Sequence, residues 1–135
     1  MAWRNYRLPS SGGAKFHNRK VTIQGETFDS RREASRWLEL KTLEKAGAIS
    51  NLQRQKKFEL VPAQYEADII GPRGGKKKGK LLEREIVYIA DFVYWDEEKH
   101  EFKVEDTKSE ATRTKDYIIK RKLMLWLKGI QIIEV

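Results

Sequence analysis

The chain has 135 residues, of which 36% are charged and 39% hydrophobic, and 28 Lys and Arg against 20 Asp and Glu leave a net charge of +8. That length supports one domain with a modest core, and the absence of cysteine excludes disulfides and thiolate metal sites. With two histidines a histidine-rich zinc site is not expected; no apolar run approaches the roughly 20 residues of a spanning helix, no signal-peptide core is present, and the excess positive charge suits a polyanion, usually nucleic acid.

Residues 1–20 carry Arg4, Arg7, Lys15, Arg19 and Lys20 around Pro9-Ser10-Ser11-Gly12-Gly13, which reads as a flexible basic arm, either touching a nucleic-acid backbone or a plain tail. Val21-Thr22-Ile23 and Glu26-Thr27-Phe28, separated by Gln24-Gly25, predict a small hairpin. Ser30 followed by Glu33 is a capping-box pattern, and the helix it starts is expected to run to about Ala46, with Gly47 as its C-terminal stop. Glu33, Trp37 and Leu40 share one face, and Ala34, Leu38 and Leu43 widen that stripe. Glu33 thus has two readings, a reciprocal cap for Ser30 or a carboxylate offered to a site.

The alternation from Gln55 to Leu60 predicts a strand, entered by Gln55. Residues 62–82 are the least patterned stretch. Their centre, residues 71–80, holds Arg73, Lys76, Lys77, Lys78 and Lys80 among four glycines and reads as a mobile basic loop able to follow phosphates. It lacks the Ser or Thr and the helix of a nucleotide-binding P-loop, so no nucleotide cofactor is expected. A long strand is predicted from Glu83 to Trp95, a polar turn at Asp96–Lys99, and a returning strand from His100 to Lys108. Thr112 or Thr114 caps a second helix over about Lys115–Lys128, closed by Gly129, with Ile118, Leu125 and Trp126 on its buried side and Lys115, Lys120, Arg121 and Lys122 on its basic side. Residues 130–135 form a short apolar strand expected inside the sheet. The order α-β-β-β-α-β predicts an α+β fold with a mixed central sheet flanked by helices.

Asp91 on the long strand and Asp106 on the returning one are acids that a buried strand does not hold without reason. Side chains alternate along a strand, so Asp106 and Lys108 point one way and Thr107 the other. If the strands pair, Asp91, Asp106 and Lys108 converge. Either they form a cross-strand ion pair, or the two carboxylates are relieved by a hard divalent cation such as Mg²⁺, with the lysine beside it.

This arrangement, with Glu33 on the first helix, Asp91 on a core strand and Asp106-Thr107-Lys108 on the next, resembles the PD-(D/E)XK nuclease superfamily and its restriction-endonuclease-like core. Ala90 stands where the superfamily often has proline. The runs F-D-S-R-R-E-A, L-K-T-L-E-K-A-G-A-I-S-N-L-Q-R-Q-K-K-F-E-L, Y-I-A-D-F-V-Y, V-E-D-T-K-S and D-Y-I-I-K-R-K-L-M are similar to a small phage and prophage family long filed as of unknown function, over about residues 18–135. More distantly, the chain resembles phage Holliday-junction resolvases and transposon-end nucleases.

The resemblance implies a nuclease domain over residues 21–135. It implies Mg²⁺ or Mn²⁺ surrounded by Glu33, Asp91 and Asp106, with Thr107 as a further ligand. Lys108 positions or activates water, Gln55 is auxiliary, and Lys120 and Lys122 face DNA. Lys115 and the loop lysines Lys76, Lys77, Lys78 and Lys80 complete the expected DNA-binding set. The expected function is a metal-dependent endodeoxyribonuclease, acting in the cytoplasm of a phage-bearing bacterial host. It would cut branched or structured DNA, or nick duplex, as a homodimer that does not touch membrane. The alternative is a non-catalytic nucleic-acid-binding or host-interaction protein on the same fold.

Overall fold

The structure, a computed structural model, describes residues 19–135; of the expected basic arm over residues 1–20, all but Arg19 and Lys20 lies outside the described residues. β1 (Val21–Ile23) and β2 (Glu26–Phe28) form the expected hairpin. Gln24 and Gly25 both take positive φ, 51° and 82°, the backbone that lets a two-residue turn match the twist of its strands. α1 (Arg31–Lys45) follows, capped by Ser30, whose side chain accepts from the Glu33 N–H. It stops where Gly47 supplies a left-handed φ of 79°. Glu33, Ala34, Trp37 and Leu40 are its buried face. Leu38 and Leu43, expected to widen that stripe, are exposed instead, because helical spacing carries both away from the Trp37–Leu40 line.

β3 (Ile49–Val61) is longer than the predicted Gln55–Leu60, because left-handed residues at Asn51 and Gln55 interrupt the alternation by which a strand is read from sequence. It pairs antiparallel with β8 (Ile86–Asp96), and β8 with β9 (Glu101–Asp106). β10 (Ile133–Glu134) adds in parallel to β9, giving a mixed sheet of order β10-β9-β8-β3. The terminal strand is therefore an edge of two residues rather than an interior one.

Each face of this sheet is covered by one helix, so the molecule is α+β with a mixed sheet. α1 packs Ala34, Trp37 and Leu40 against Phe28, Ile49, Phe92 and Tyr94. α2 (Lys115–Lys128) packs Tyr117 and Met124 against Leu60, Tyr88, Ala90, Val93 and Val104. Strict alternation would put Tyr88, Ala90, Phe92 and Tyr94 on one face. They divide instead, two to each core, so the strand changes face at Asp91. That slip stops Asp91 from being an ordinary core or surface position.

Residues 62–82 are not structureless. β3 and β8 run on past the sheet as a nested hairpin, in which β4 (Gln64–Tyr65) pairs with β7 (Leu81–Glu83), and β5 (Ile69–Ile70) with β6 (Lys76–Lys77). Its tip is tied by Gly71 N–H to Gly75 O at 2.8 Å. Within the expected loop over 71–80 only Lys76 and Lys77 pair as strand, while residues 71–75 form the turn and 78–80 have no regular structure; that pairing needs only backbone donors and acceptors, which a Lys- and Gly-rich segment has in full. At Gly79 a Cβ would lie 2.0 Å from the Glu66 carbonyl oxygen, so only glycine fits where the ladder closes.

Thr114, not Thr112, caps α2, accepting from the Tyr117 N–H at 3.2 Å. Its buried face is Tyr117 and Met124, with Ile118 and Leu123 packed beside them. Leu125 and Trp126, expected on the buried side, are exposed, Trp126 at 85%. Among the described residues no helix is long and apolar enough to cross a membrane.

Candidate active site

The face change at Asp91 sets the site. Val93 pairs with Val104 and Phe92 with Glu105, and one further step of that register sets Asp91 opposite Asp106. On the other side, Arg54 pairs with Phe92 and Lys56 with Ala90, which sets Gln55 opposite Asp91. Gln55, Asp91 and Asp106 thus form a row across three strands, and the Thr107 N–H donates to Asp91 Oδ2 at 2.7 Å.

Glu33 reaches this row from the first turn of α1. Gln55 Nε2 donates to Glu33 Oε1 at 3.3 Å and to Asp91 Oδ1 at 3.4 Å, spanning the two acids. Gln55 does so from a left-handed backbone, φ 52°, a conformation that costs a non-glycine residue on the order of 1–3 kcal/mol. Glu33 also fulfils part of its capping role, but its Oε2 accepts from the N–H of Asp29 at 3.3 Å rather than that of Ser30. One Glu33 oxygen thus serves the helix entry and the other faces Gln55. Among the described residues the only cation on Glu33 is Arg54, whose Nη2 stands 3.5 Å away.

Asp106 is buried at 3% exposure. Lys108 Nζ pairs with its Oδ1 at 2.9 Å, and the Tyr88 hydroxyl donates to its Oδ2 at 2.7 Å. Lys108 also lies over the Tyr117 ring, 4.4 Å from the centroid, so a carboxylate and an aromatic face hold the ammonium between them. Asp106 and Lys108 point the same way, as their spacing predicts.

Electrostatics make Asp91 the hub of these acids. Burial, and then the charge of Asp91, raise the Asp106 carboxyl to about 6. The same two causes, in the same order, raise Glu33. Two acids on different elements thus each feel Asp91, and the cations within reach do not offset burial and that repulsion. Such an excess of negative potential among oxygen donors is what a hard cation relieves. No three acidic or histidine side chains among the described residues are already drawn together as a ready-made ligand set. Protein donors occupy the carboxylates instead: Thr107 N–H and Gln55 on Asp91, Lys108 and Tyr88 on Asp106. The oxygen-only donor set and its mutual repulsion nonetheless fit a Mg²⁺-type ion.

The basic residues expected to bind DNA lie on two segments, the nested hairpin and α2. Lys76, Lys77, Lys78 and Lys80 lie along the nested hairpin, where Lys78 caps the Tyr65 ring at 3.9 Å. On α2, Lys120 lines a cleft with Ile86 and Val87, whereas Lys122 lines one with Gln131 and Glu134. Two residues two apart on a helix point to different sides, so these two do not share a face.

Several partners escaped the sequence reading. Glu105, fully buried, takes a two-point guanidinium contact from Arg36, Nε and Nη2 each at 2.7 Å, and the Tyr94 hydroxyl. This ion pair ties α1 to β9 immediately beside the site. Its signal was present: Glu105 alternates with Asp106, so it faces α1 and needs a cation there. Tyr88 under Asp106, and Arg54, stacked 3.9 Å from the Phe28 ring centroid, had no such signal.

The chain matches a family model described as "Protein of unknown function (DUF1064)" over residues 13–128. The chain belongs to the DUF1064 family. No curated protein and no solved structure matches it. The DUF1064 match spans the helix bearing Glu33, the three strands bearing Gln55, Asp91 and Asp106, and all of α2.

Proposed function

We propose that this DUF1064 protein is a metal-dependent endodeoxyribonuclease on a restriction-endonuclease-like core, related to the PD-(D/E)XK nucleases. The observation that carries the reading is the hub at Asp91, whose charge raises both Glu33 and Asp106 while Lys108 stands 2.9 Å from Asp106. A fold gains nothing from burying Glu33 and Asp106 beside an acid that repels both, whereas a hydrolase that loads a cation does.

Asp91 and Asp106 would hold a Mg²⁺ or Mn²⁺ ion, with Glu33 and the Thr107 carbonyl at its margin. When bound, such an ion supplies charge neutralisation at the phosphate and a water of lowered pKa. The chain's own groups do the rest. The Thr107 N–H and Gln55 fix the rotamer of Asp91, and Tyr88 fixes that of Asp106. Lys108, held between Asp106 and the Tyr117 ring, presents N–H donors to the attacking water or to a non-bridging phosphoryl oxygen. Water oxygen bonds to phosphorus, the bond from phosphorus to the 3′ oxygen breaks, and the water's proton passes to solvent while the departing 3′ oxygen takes one. The products are a 5′-phosphate and a 3′-hydroxyl. No base-reading module is evident among the described residues, so shape and backbone recognition of branched or otherwise structured DNA is favoured over sequence.

The test is incubation with junction, flap, single-stranded and duplex DNA in Mg²⁺ or Mn²⁺ against EDTA, with the cuts mapped. Metal-dependent cleavage is expected, nearly abolished in Asp91→Asn and Asp106→Asn while both still bind DNA. Binding without cleavage by the unaltered protein in either metal would leave a nucleic-acid-binding protein and end the nuclease reading.

A further inference from the structure

Beside the acids lies a cleft of about 470 Å³ lined by four cations, Arg19, Arg31, Arg32 and Lys108, and by no acidic side chain. Thr107 and Lys108 are common to the cleft and the acid cluster. Arg32 Nη1 donates to the Lys108 carbonyl at 3.0 Å, which fixes one cation against the wall. Arg19 and Arg31 have no ion-pair partner among the described residues. The Thr107 hydroxyl, shielded from solvent, is also without a partner there.

This charge is in the wrong place for the fold alone. Arg31 and Arg32 occupy the first turn of α1, where the helix dipole is positive and acids, not cations, are stabilising. Lys108, whose ammonium pairs with Asp106, lines the same concavity. Helices that need only solubility put such residues in the last turn, as α1 does with Lys45. A local rule broken in a concave, acid-free cleft that shares a wall with a candidate active site is expected where a ligand supplies the missing charge. The guanidinium fork matches phosphate geometry.

We propose that this cleft is a phosphate subsite, which takes one phosphate of a nucleic-acid strand adjacent to the phosphodiester presented to Asp91 and Asp106. The second half of that statement rests on the nuclease reading; binding of the phosphate does not. Arg31 and Arg19 are the principal contacts, Arg32 is the tethered one, and the Ser30 hydroxyl, which accepts from Glu33 N–H, keeps its proton to donate.

The test uses fluorescence anisotropy in EDTA with the full-length protein and short single-stranded oligonucleotides in which one phosphate at a time is a neutral methylphosphonate. Further arms carry a 5′-phosphate, a 5′-hydroxyl or a 3′-phosphate. Wild type is expected to lose affinity sharply at one position, and Arg31→Gln and Arg19→Gln to lose no further affinity there. Each variant should also flatten the plot of log affinity against log salt by about 0.7, one single-strand phosphate contact. Lys45→Gln, at the other end of α1, is the control. A sensitive internal position assigns the subsite to continuous backbone and a sensitive 5′- or 3′-phosphate assigns it to a strand end; either supports the proposal. It is overturned if the methylphosphonate penalties of Arg31→Gln equal those of wild type at every position, or if its affinity falls no more than that of Lys45→Gln. Because these measurements exclude divalent metal, an intact subsite in a protein that never cleaves overturns the nuclease reading alone.

Discussion

Asp106 is held at a cost that its own titration exposes. With a folded pKa of about 6 against an ordinary 3.8, the neutral form is favoured by the fold. The resulting stability is fully present below about pH 4 and is lost as pH rises through 6. Asp106→Asn is neutral throughout. In metal-free buffer the variant should therefore gain on wild type as pH goes from 4 to 7, by an amount on the order of 2 kcal/mol. Urea denaturation along that pH series measures it, and any fixed loss from altered contacts to Tyr88 or Lys108 cancels in the slope. Parallel curves for the two proteins would mean that Asp106 is not destabilised by burial beside Asp91. Glu33 separates its two duties at the same scale. Glu33→Gln keeps a capping acceptor, so its melting temperature should barely move while cleavage falls strongly. Ser30→Ala should instead cost about 1 kcal/mol with a smaller effect on cleavage. Full activity of Glu33→Gln across a Mg²⁺ titration would leave a site of two acids.

Among the elements, the nested hairpin from β4 to β7 changes what the basic segment does. A mobile loop would present its charges in any direction. A paired ladder presents Lys76 and Lys77 from alternate faces, and its closure depends on Gly79 lying against Glu66. Deleting the segment would therefore remove structure along with charge, whereas replacing Lys76, Lys77, Lys78 and Lys80 by glutamine removes charge alone. Duplex binding of that fourfold variant should show a shallower salt dependence, by about 0.9 in the log–log slope for each lysine that had met a phosphate. An unchanged slope would remove the hairpin from the binding surface. The pairing was hidden in the sequence because backbone hydrogen bonds do not ask for hydrophobic alternation. β3 was half hidden for a related reason: Asn51 and Gln55 break its period by adopting a left-handed backbone, which asparagine tolerates but which a glutamine does not announce.

Taken whole, the molecule places its acids where two cores meet. One core lies under α1 and one under α2, and β8 passes from one to the other at Asp91. Repulsion at that junction should make stability respond to divalent ions. With Mn²⁺ at about 100 times its dissociation constant, binding to the folded state alone adds about 2.7 kcal/mol. Wild type should therefore melt higher in Mn²⁺ than in EDTA, and Asp91→Asn, which removes the hub, should show little shift. Equal shifts in the two proteins would mean that the ion binds elsewhere.

The α+β class, the capped helices, the first hairpin and the shared direction of Asp106 and Lys108 followed from sequence alone, because each depends on spacing within one segment. Helical and strand periods, a capping serine and a terminal glycine are local properties. Asp91 and Asp106 were legible for the same reason, as charges in strands that should not carry them. What only the tertiary structure decided was which segments meet. Strand register set Gln55 and Asp106 on either side of Asp91. Burial split Leu125 and Trp126 from Tyr117 and Met124, and folding brought Arg19, Arg31, Arg32 and Lys108 to one cleft from three places in the chain. Such meetings depend on side chains far apart in sequence, and periodicity within a segment carries no record of them.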